Sequence, residues 1–391
     1  MKQEYSYLIA LCRSYLSSEA ATLRTDIDYQ RLYQIANSHN LSAIVFCVLN
    51  TAHNKEVVAR EAFKRFEDDF YEAIIRYDMQ QALTERLTTL LSEHSIRHVF
   101  FKGAELKEYY PVPQARVMSD VDLLIAPEDR DRVKELLSKN GIRPVHTNGP
   151  VYEYTADGFK TEVHTKIISG KVGNSDAEQC FSDAMEYADF TGFRGTLQTD
   201  YHFAYLITHI AHHFWFYGAG VKLILDLAVM LRTFEVDLDR VLDKLREEGL
   251  DTFGKVLLSV CYRWFGNGQD YGLDTEQTEA FLLSFGAFGN VNRSTAAVIE
   301  RKELEEGKVN SSFASRLRLL FPSYQQVKNI PYIRFIEGRP YLLPYAWLYR
   351  IAYNFKYKRD YITHTAKQIG SDETHSKAQR ELAYFKEIGL L

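Results

Sequence analysis

The sequence predicts an α+β protein in which a small mixed β-sheet core is embedded between mainly helical N- and C-terminal regions. Three observations carry this. Residues 1–92 contain no glycine and repeat apolar residues at helical spacing, first at Tyr7, Leu8, Leu11 and Tyr15 and again across 63–91. The stretch 98–168 breaks instead into short apolar runs punctuated by Lys-Gly, Pro and Asp-Gly. From about residue 197 the helical spacing returns.

Within the central stretch, Val99-Phe100-Phe101 reads as the first strand. It is bounded by Lys102-Gly103 and followed by a short helical stretch to Tyr110 and a loop holding Pro111 and Pro113. Val121-Asp122-Leu123-Leu124-Ile125 makes a second strand. Pro127 then opens a helix whose first turn carries Glu128 and Asp129, where carboxylates complement the helix dipole, and Asn140-Gly141 closes it. Residues 151–168 alternate about Asp157-Gly158, a pair that suits a two-residue hairpin turn because both positions need positive φ. Helices are expected over 202–216, 221–231 and across 237–265, and the closing stretch from Phe313 reads as helical but rich in Pro, Tyr and Arg. The expected division is an N-terminal helical region (1–92), an α/β core (93–190), a helical domain (191–310) and a C-terminal helical segment rich in aromatic and basic residues (311–391). A chain of 391 residues usually splits into two or three domains.

Composition removes several classes of function. Hydrophobic residues make up 46% and charged residues 25%, enough apolar material for a sizeable core, so a disordered chain is excluded. A net charge of −5 gives no global positive field to draw the protein onto nucleic acid or an anionic membrane, and a polyanionic partner therefore needs a local basic patch. Four cysteines, Cys12, Cys47, Cys180 and Cys261, show no C-x-x-C spacing and are too few for a disulfide framework. A reducing cytoplasm is the expected compartment. The apolar patch at 7–12 is too short for a signal-peptide core, and no stretch has the length needed to span a bilayer.

Chemistry concentrates in the central unit. Asp120 and Asp122 lie two apart on one strand, so their side chains share a face while Val121, Leu123 and Ile125 point to the core. Hard oxygen ligands aimed at one spot suit Mg²⁺ or Mn²⁺, since such an ion binds through one or two carboxylates while substrate phosphates fill the remaining positions. The second strand of the hairpin carries Glu162, His164 and Lys166 on one face. Glu162 is the candidate third acid, placed to hold a second metal and activate the attacking hydroxyl in a two-metal transfer. An Asp-x-Asp pair alone says little, because Asp26/Asp28 and Asp237/Asp239 repeat it and read as caps or solvated faces. What separates Asp120/Asp122 is the apolar strand they sit on, the strand-Lys-Gly turn upstream and the acidic strand downstream.

The residues Phe101-Lys102-Gly103, Leu106, Tyr109-Tyr110, Pro113, Arg116 and Ser119-Asp120-Val121-Asp122-Leu123-Leu124-Ile125, with Glu162-Val163-His164 as a third acidic strand, carry a likeness. This pattern resembles the bacterial uncharacterised nucleotidyltransferase family of the DNA-polymerase-β-like superfamily, closely over 97–168 and more loosely over 197–231 and 317–350. The resemblance implies that Asp120, Asp122 and Glu162 are the metal-binding and catalytic carboxylates. It also implies transfer of a nucleoside monophosphate from an NTP, ATP by expectation, to a hydroxyl or related acceptor with release of pyrophosphate. The superfamily usually begins with Gly-Ser or Gly-Gly, whereas Lys102-Gly103-Ala104 occupies that turn here. Phosphate binding then falls to backbone N–H groups of Gly103 and Ala104 and to the charge of Lys102. The departure keeps an alternative open: a protein of this fold that binds nucleotide or a partner with weak turnover or none.

Further residues have two readings each. Arg116 either grips the triphosphate through a bidentate fork or forms a salt bridge to Asp120 or Glu105. His164 and Lys166 near Glu162, and His209 with Asp226 from the helical region, are candidates to orient the acceptor or the acids, against ordinary polar contacts or solvation. His209, His212 and His213 share neighbouring helix positions, and with Asp226 they suggest a rival class, a helical metal-dependent phosphohydrolase using His209, His213 and Asp226. That fold's adjacent His-Asp dyad is absent, and His212 and His213 do not both face one metal comfortably, so a cleft lined by His209 and Asp226 is the preferred reading. Finally, Tyr341, Tyr345, Trp347, Tyr349, Tyr353, Phe355 and Tyr357 interleave with Arg339, Arg350, Lys356, Lys358 and Arg359. Such mixing binds RNA or an anionic membrane in some proteins, but aromatic stripes at helical spacing are mostly core, and nucleic-acid binding is not favoured. The acceptor is expected to be a small molecule, a protein or RNA.

Overall fold

Four helices precede the first strand, as the unbroken apolar spacing requires: α1 (Gln3–Ser17), α2 (Tyr29–Ser38), α3 (Ser42–Thr51) and α4 (Arg60–Glu93). The computed structural model describes residues 3–147, 149–286, 321–327, 330–336, 338–357 and 372–391. It divides into two compact units, residues 1–290 with 389–391, and residues 291–388. Asp28 caps α2 by accepting from the N–H groups of Gln30 and Arg31, while Asp26 pairs with Arg24 at the surface. Helix α4 is 34 residues long, and its last turns carry Leu83, Leu87 and Leu91 at four-residue spacing into the main core.

The sheet has seven strands, in the order β3-β4-β5-β2-β1-β7-β6. These are β1 (His98–Phe101), β2 (Asp120–Ile125), β3 (Arg143–His146), β4 (Val151–Ala156), β5 (Phe159–His164), β6 (Ala188–Thr191) and β7 (Arg194–Leu197). β2 runs antiparallel to β1 and parallel to β5, so the sheet is mixed, as the sequence predicts. The β4–β5 turn is Asp157-Gly158 with φ of 53° and 82°, the conformation that this residue pair tolerates best. β3, β6 and β7 extend the sheet beyond what the sequence pattern shows. Each is four residues long with exposed positions, too short for an alternation to stand out.

Between β1 and β2 lie the short helix α5 (Gly103–Leu106) and two single turns. α6 (Arg130–Lys139) follows β2 after a turn at Pro127–Asp129 and ends at Asn140 with Gly141 in the left-handed region. One face of the sheet presents Phe100, Val121, Leu123, Ile125, Tyr154 and Val163 to α4 and α6. After the short α7 (Ala177–Cys180) and the β6–β7 hairpin, the chain returns to helices: α8 (Thr199–Phe216), α9 (Val221–Thr233), α10 (Leu238–Glu247), α11 (Asp251–Phe265) and α12 (Glu276–Ser284). Asp237 caps α10 through the Arg240 N–H. α8 covers the second face of the sheet, where Tyr205 meets Phe101 edge-on at 5.7 Å. The result is an α+β fold with helical flanks.

The second unit holds the helices Leu343–Tyr357 and Asp372–Glu387 and a small apolar cluster of Val327, Ile333, Ile336 and Ala346. Tyr332 stacks on Tyr353 at 4.0 Å and Trp347 donates to the Pro322 carbonyl, while Tyr341, Tyr345 and Tyr349 are exposed. Phe313, Lys358 and Arg359, and the side chains of Phe355 and Tyr357, lie outside the described residues. Among the described residues no helix is long and apolar enough to cross a membrane.

Candidate active site

The second face of the sheet gathers the acids. β2 and β5 run parallel with Asp122 opposite Glu162 and Leu124 opposite His164, and Asp120 precedes Asp122 by one full pleat on the same face. Register alone therefore converts two separated sequence motifs into one cluster. Ligand atoms of Asp122, Glu162 and His164 all lie within 4.8 Å of one another. Asp122 and His164 are buried, and Asp120 and Glu162 are half-buried.

Asp122 Oδ1 accepts from Lys102 Nζ at 2.8 Å and lies 3.0 Å from His164 Nε2, which is 3.3 Å from Glu162 Oε2. Lys160 donates to Glu162 Oε1 at 2.6 Å. Burial works against the charge of Asp122, but Lys102 and the His164 hydrogen bond outweigh it and hold its carboxyl below the usual range. Glu162 follows the same logic: burial opposes its charge, and His164 and Lys160 bring it down to about 2. Asp120 goes the other way, raised by burial and by the charges of Asp122 and Glu162. Burial disfavours the charge of Lys102, yet Asp122 beside it keeps the ammonium protonated.

Lys102 reaches Asp122 from a costly backbone position. Its φ of 52° and ψ of −132° lie in a region that L-residues seldom adopt, at a strain of about 1–3 kcal/mol. Gly103 is small for a definable reason, because a Cβ there would collide with the Arg116 guanidinium. Arg116 in turn is clamped by Asp226 of α9, with Nε at 3.1 Å from Oδ1 and a second nitrogen at 2.8 Å from Oδ2, and Tyr110 donates to Oδ1 at 2.6 Å. The partner of Arg116 is thus Asp226, and neither Asp120 nor Glu105 forms an ion pair with it. The loop that leads into Asp120 is held from both sides, since Gln80 of α4 donates to the Met118 carbonyl at 3.0 Å and Lys222 of α9 donates to the Val117 carbonyl at 3.0 Å.

Part of this set lines a cavity between the sheet and the helices α8 and α9, with Glu162 and His164 behind Asp122 and outside its lining. Its walls include Lys102, Gly103, Arg116, Ser119, Asp120 and Asp122 from the α/β core and His209, His213, Lys222 and Asp226 from the helices. The sequence model of the uncharacterised nucleotidyltransferase family matches residues 25–266. The chain belongs to that family. No curated protein and no solved structure matches it.

The family match takes in α2 to α4, the whole sheet and α8 to α11, and ends before 317–350, where the sequence shows a looser likeness. Membership assigns a transferase of nucleotidyl groups. Within this nucleotidyltransferase the predicted residues are distributed unevenly. Asp120, Asp122, Glu162, His164 and Lys102 converge. Lys166 does not join them: β5 ends at His164, and Lys166 pairs with Glu178. His209 and His213 touch each other through their Nε2 atoms at 3.1 Å, and Asp226 is taken by Arg116 and Tyr110. Among the described residues these three form no common ligand group. Burial pulls His209, His212 and His213 towards the neutral form, His212 to about 4 and His213 to about 3.

Two residues of the site escape a reading by motif. Lys160 lies two residues before Glu162 on the same strand and looks like any exposed strand lysine. Lys222 is 4% exposed, and its trace in the sequence is a lone lysine four residues before Asp226 in a helix otherwise apolar from Val221 to Met230. Burial, with Arg116 nearby, pulls its ammonium down to about 7.

Proposed function

We propose that the protein is a metal-dependent nucleotidyltransferase that moves a nucleoside monophosphate from an NTP to an acceptor hydroxyl and releases pyrophosphate. The observation that carries this reading is the pairing of Asp122 with Glu162 on adjacent parallel strands, with Asp120 one pleat away, where Asp120 and Asp122 line a cavity that also holds Lys102, Arg116 and Lys222. Acids and cations gathered at one cavity match a substrate that brings both a metal and a phosphate chain.

The donor set fits a hard divalent cation such as Mg²⁺ or Mn²⁺: carboxylate oxygens dominate, they share one face, and a neighbouring imidazole adds one nitrogen. Asp120, Asp122 and Glu162 would hold it, and when bound it neutralises phosphate charge and polarises the phosphoryl group. The Lys102-Gly103 turn holds phosphate oxygens, and the Arg116–Asp226 pair fixes that turn against α9. Glu162 is ionised at neutral pH. It accepts a hydrogen bond from the attacking hydroxyl and takes the proton as the acceptor oxygen bonds to the α-phosphorus and the bond from that phosphorus to pyrophosphate breaks.

A screen of the four NTPs with Mg²⁺ against small-molecule, protein and RNA acceptors tests the reading, scored by pyrophosphate release and a nucleotidyl mass increment. The expected result is release that needs both metal and acceptor. Nucleotide binding with no increment on any acceptor class would reduce the protein to a nucleotide-binding member of its family.

A further inference from the structure

A second and larger cavity adjoins the first. It has a volume of about 300 Å³ and shares Met118 and Ser119 with the cavity that holds Asp120 and Asp122. Ser119 Oγ donates to Asp120 Oδ1 at 2.9 Å, so a molecule resting against Ser119 is one residue from the first acid. The shared wall is fixed, because Gln80 of α4 donates to the Met118 carbonyl at 3.0 Å. The rest of the lining comes from the N-terminal helices, with Asn37, Asn40 and Ser42 around the α2–α3 turn and Asp69, Glu72 and Arg76 along α4. Two carboxylates therefore face one guanidinium. Arg76 lies 3.8 Å from Glu72 and offsets its charge, whereas Asp69 accepts from two neutral donors, the Tyr33 hydroxyl at 3.3 Å and the Asn37 amide at 3.1 Å. Those hydrogen bonds orient the Asp69 carboxylate and leave its charge in place.

From this geometry we infer that the larger cavity is the acceptor subsite, and that it takes a small polyhydroxylated molecule carrying an ammonium group. This rests on the nucleotidyltransferase reading above and narrows its acceptor from three classes to one. The volume falls at the small end of the range typical of small-molecule sites, roughly 300–1,000 Å³. Side-chain amides and a serine hydroxyl both donate and accept, which suits a ligand rich in hydroxyl groups. The excess of carboxylate attracts a cation and repels the phosphates of RNA. Among the described residues no aromatic side chain lines this cavity, so a nucleobase finds no stacking partner in it. The hydroxyl held against Ser119 is the one that receives the nucleotidyl group, and the ammonium lies towards Asp69 and Glu72.

Glucosamine, glucose and glucuronate, of like size and positive, neutral and negative charge, serve as probes. Their binding by saturation-transfer NMR and their support of pyrophosphate release from MgATP are compared in wild type, Asp69→Asn and Glu72→Trp, with MgATP affinity and melting temperature recorded for each protein. The asparagine keeps an acceptor for the Tyr33 hydroxyl and lacks the charge, while the exposed Glu72 side chain admits a tryptophan that fills the cavity from its rim. Wild type is expected to favour glucosamine. Asp69→Asn should weaken glucosamine about tenfold, the usual weight of a charge-assisted contact, and leave MgATP affinity within about twofold. Glu72→Trp should abolish the glucosamine signal at an unchanged melting temperature. Glucose or glucuronate binding as well as glucosamine overturns the assignment, and so does a preference for glucosamine that survives in both variants. Wild type that binds MgATP but neither binds nor uses glucosamine, or that modifies RNA or protein instead, overturns the acceptor class alone. MgATP binding that is absent in wild type, or undiminished in an Asp120→Asn/Asp122→Asn double variant, overturns the transferase reading and the acceptor subsite with it.

Discussion

Two buried ion pairs of nearly identical length stand side by side in this protein. Lys102 meets Asp122 at 2.8 Å, and Arg116 meets Asp226 at 2.8 Å, with both carboxylates about 4% exposed. Distance and the burial of the carboxylates do not tell them apart, although Lys102 is more exposed than Arg116. Their surroundings do. Asp226 has both oxygens occupied by a guanidinium and a tyrosine hydroxyl, so charge and hydrogen bonding close within the group. Asp122 sits instead among Asp120, Glu162 and His164, where burial and the neighbouring acids raise Asp120 while Lys102 and His164 hold Asp122 down against its own burial. A closed pair fixes a fold. An open cluster of unequal acids, mounted beside a strained Lys102, is the arrangement expected where a cation and a charged substrate are to be accommodated.

The largest expected effect separates the two pairs most sharply. Asp122→Asn should lower nucleotidyl transfer by more than about 10³-fold with a small change in urea stability, because metal binding is lost while Lys102 still borders the cavity. Asp226→Ala should do the reverse first, costing about 3–5 kcal/mol in equilibrium unfolding by stranding the buried Arg116 charge. If Asp226→Ala kept wild-type stability, the contrast between closed and open pairs would be wrong.

Glu162→Gln sharpens the inside of the open cluster. Single-turnover rates at saturating NTP should fall about 10²- to 10⁴-fold with little change in nucleotide affinity, since the group acts on the attacking hydroxyl. A variant within about threefold of wild type would mean that Glu162 does no more than pair with Lys160 on the strand.

The smallest effect lies outside both pairs. Glu248 is buried, accepts from Thr208 at 3.1 Å and from Ser175 at 3.2 Å, and burial pushes its carboxyl up to about 7. A carboxyl whose folded value exceeds its unfolded value gives stability that is fully present below about pH 4.5 and is lost as pH rises through about 7. Glu248→Gln should flatten that part of the stability profile, read from urea midpoints between pH 4.5 and 8. An unchanged slope would mean that Glu248 does not titrate in this window.

Much of the site is legible in the sequence. Period-two alternation puts Asp120 and Asp122 on one face, Asp157-Gly158 fixes the hairpin that carries Glu162, and the Lys-Gly turn marks the strand end from which Lys102 acts. Local chemistry decides each of these, so a single segment suffices to read them. Lys166 shows the limit even at short range: alternation extended past His164 puts it on the acidic face, but β5 stops there and Lys166 turns to Glu178.

The sequence by itself determined the α+β class, the helical flanks and the central strands, and it singled out Asp120, Asp122 and Glu162 as candidates. Tertiary structure alone decided that Asp122 faces Glu162, that Arg116 belongs to Asp226 across 110 residues, and that Lys222 enters the cavity. The physical reason is the range of the forces involved. Turn chemistry and periodicity act between neighbours in the chain, whereas strand register and the docking of α9 are set by the burial of whole apolar faces, which no local pattern encodes.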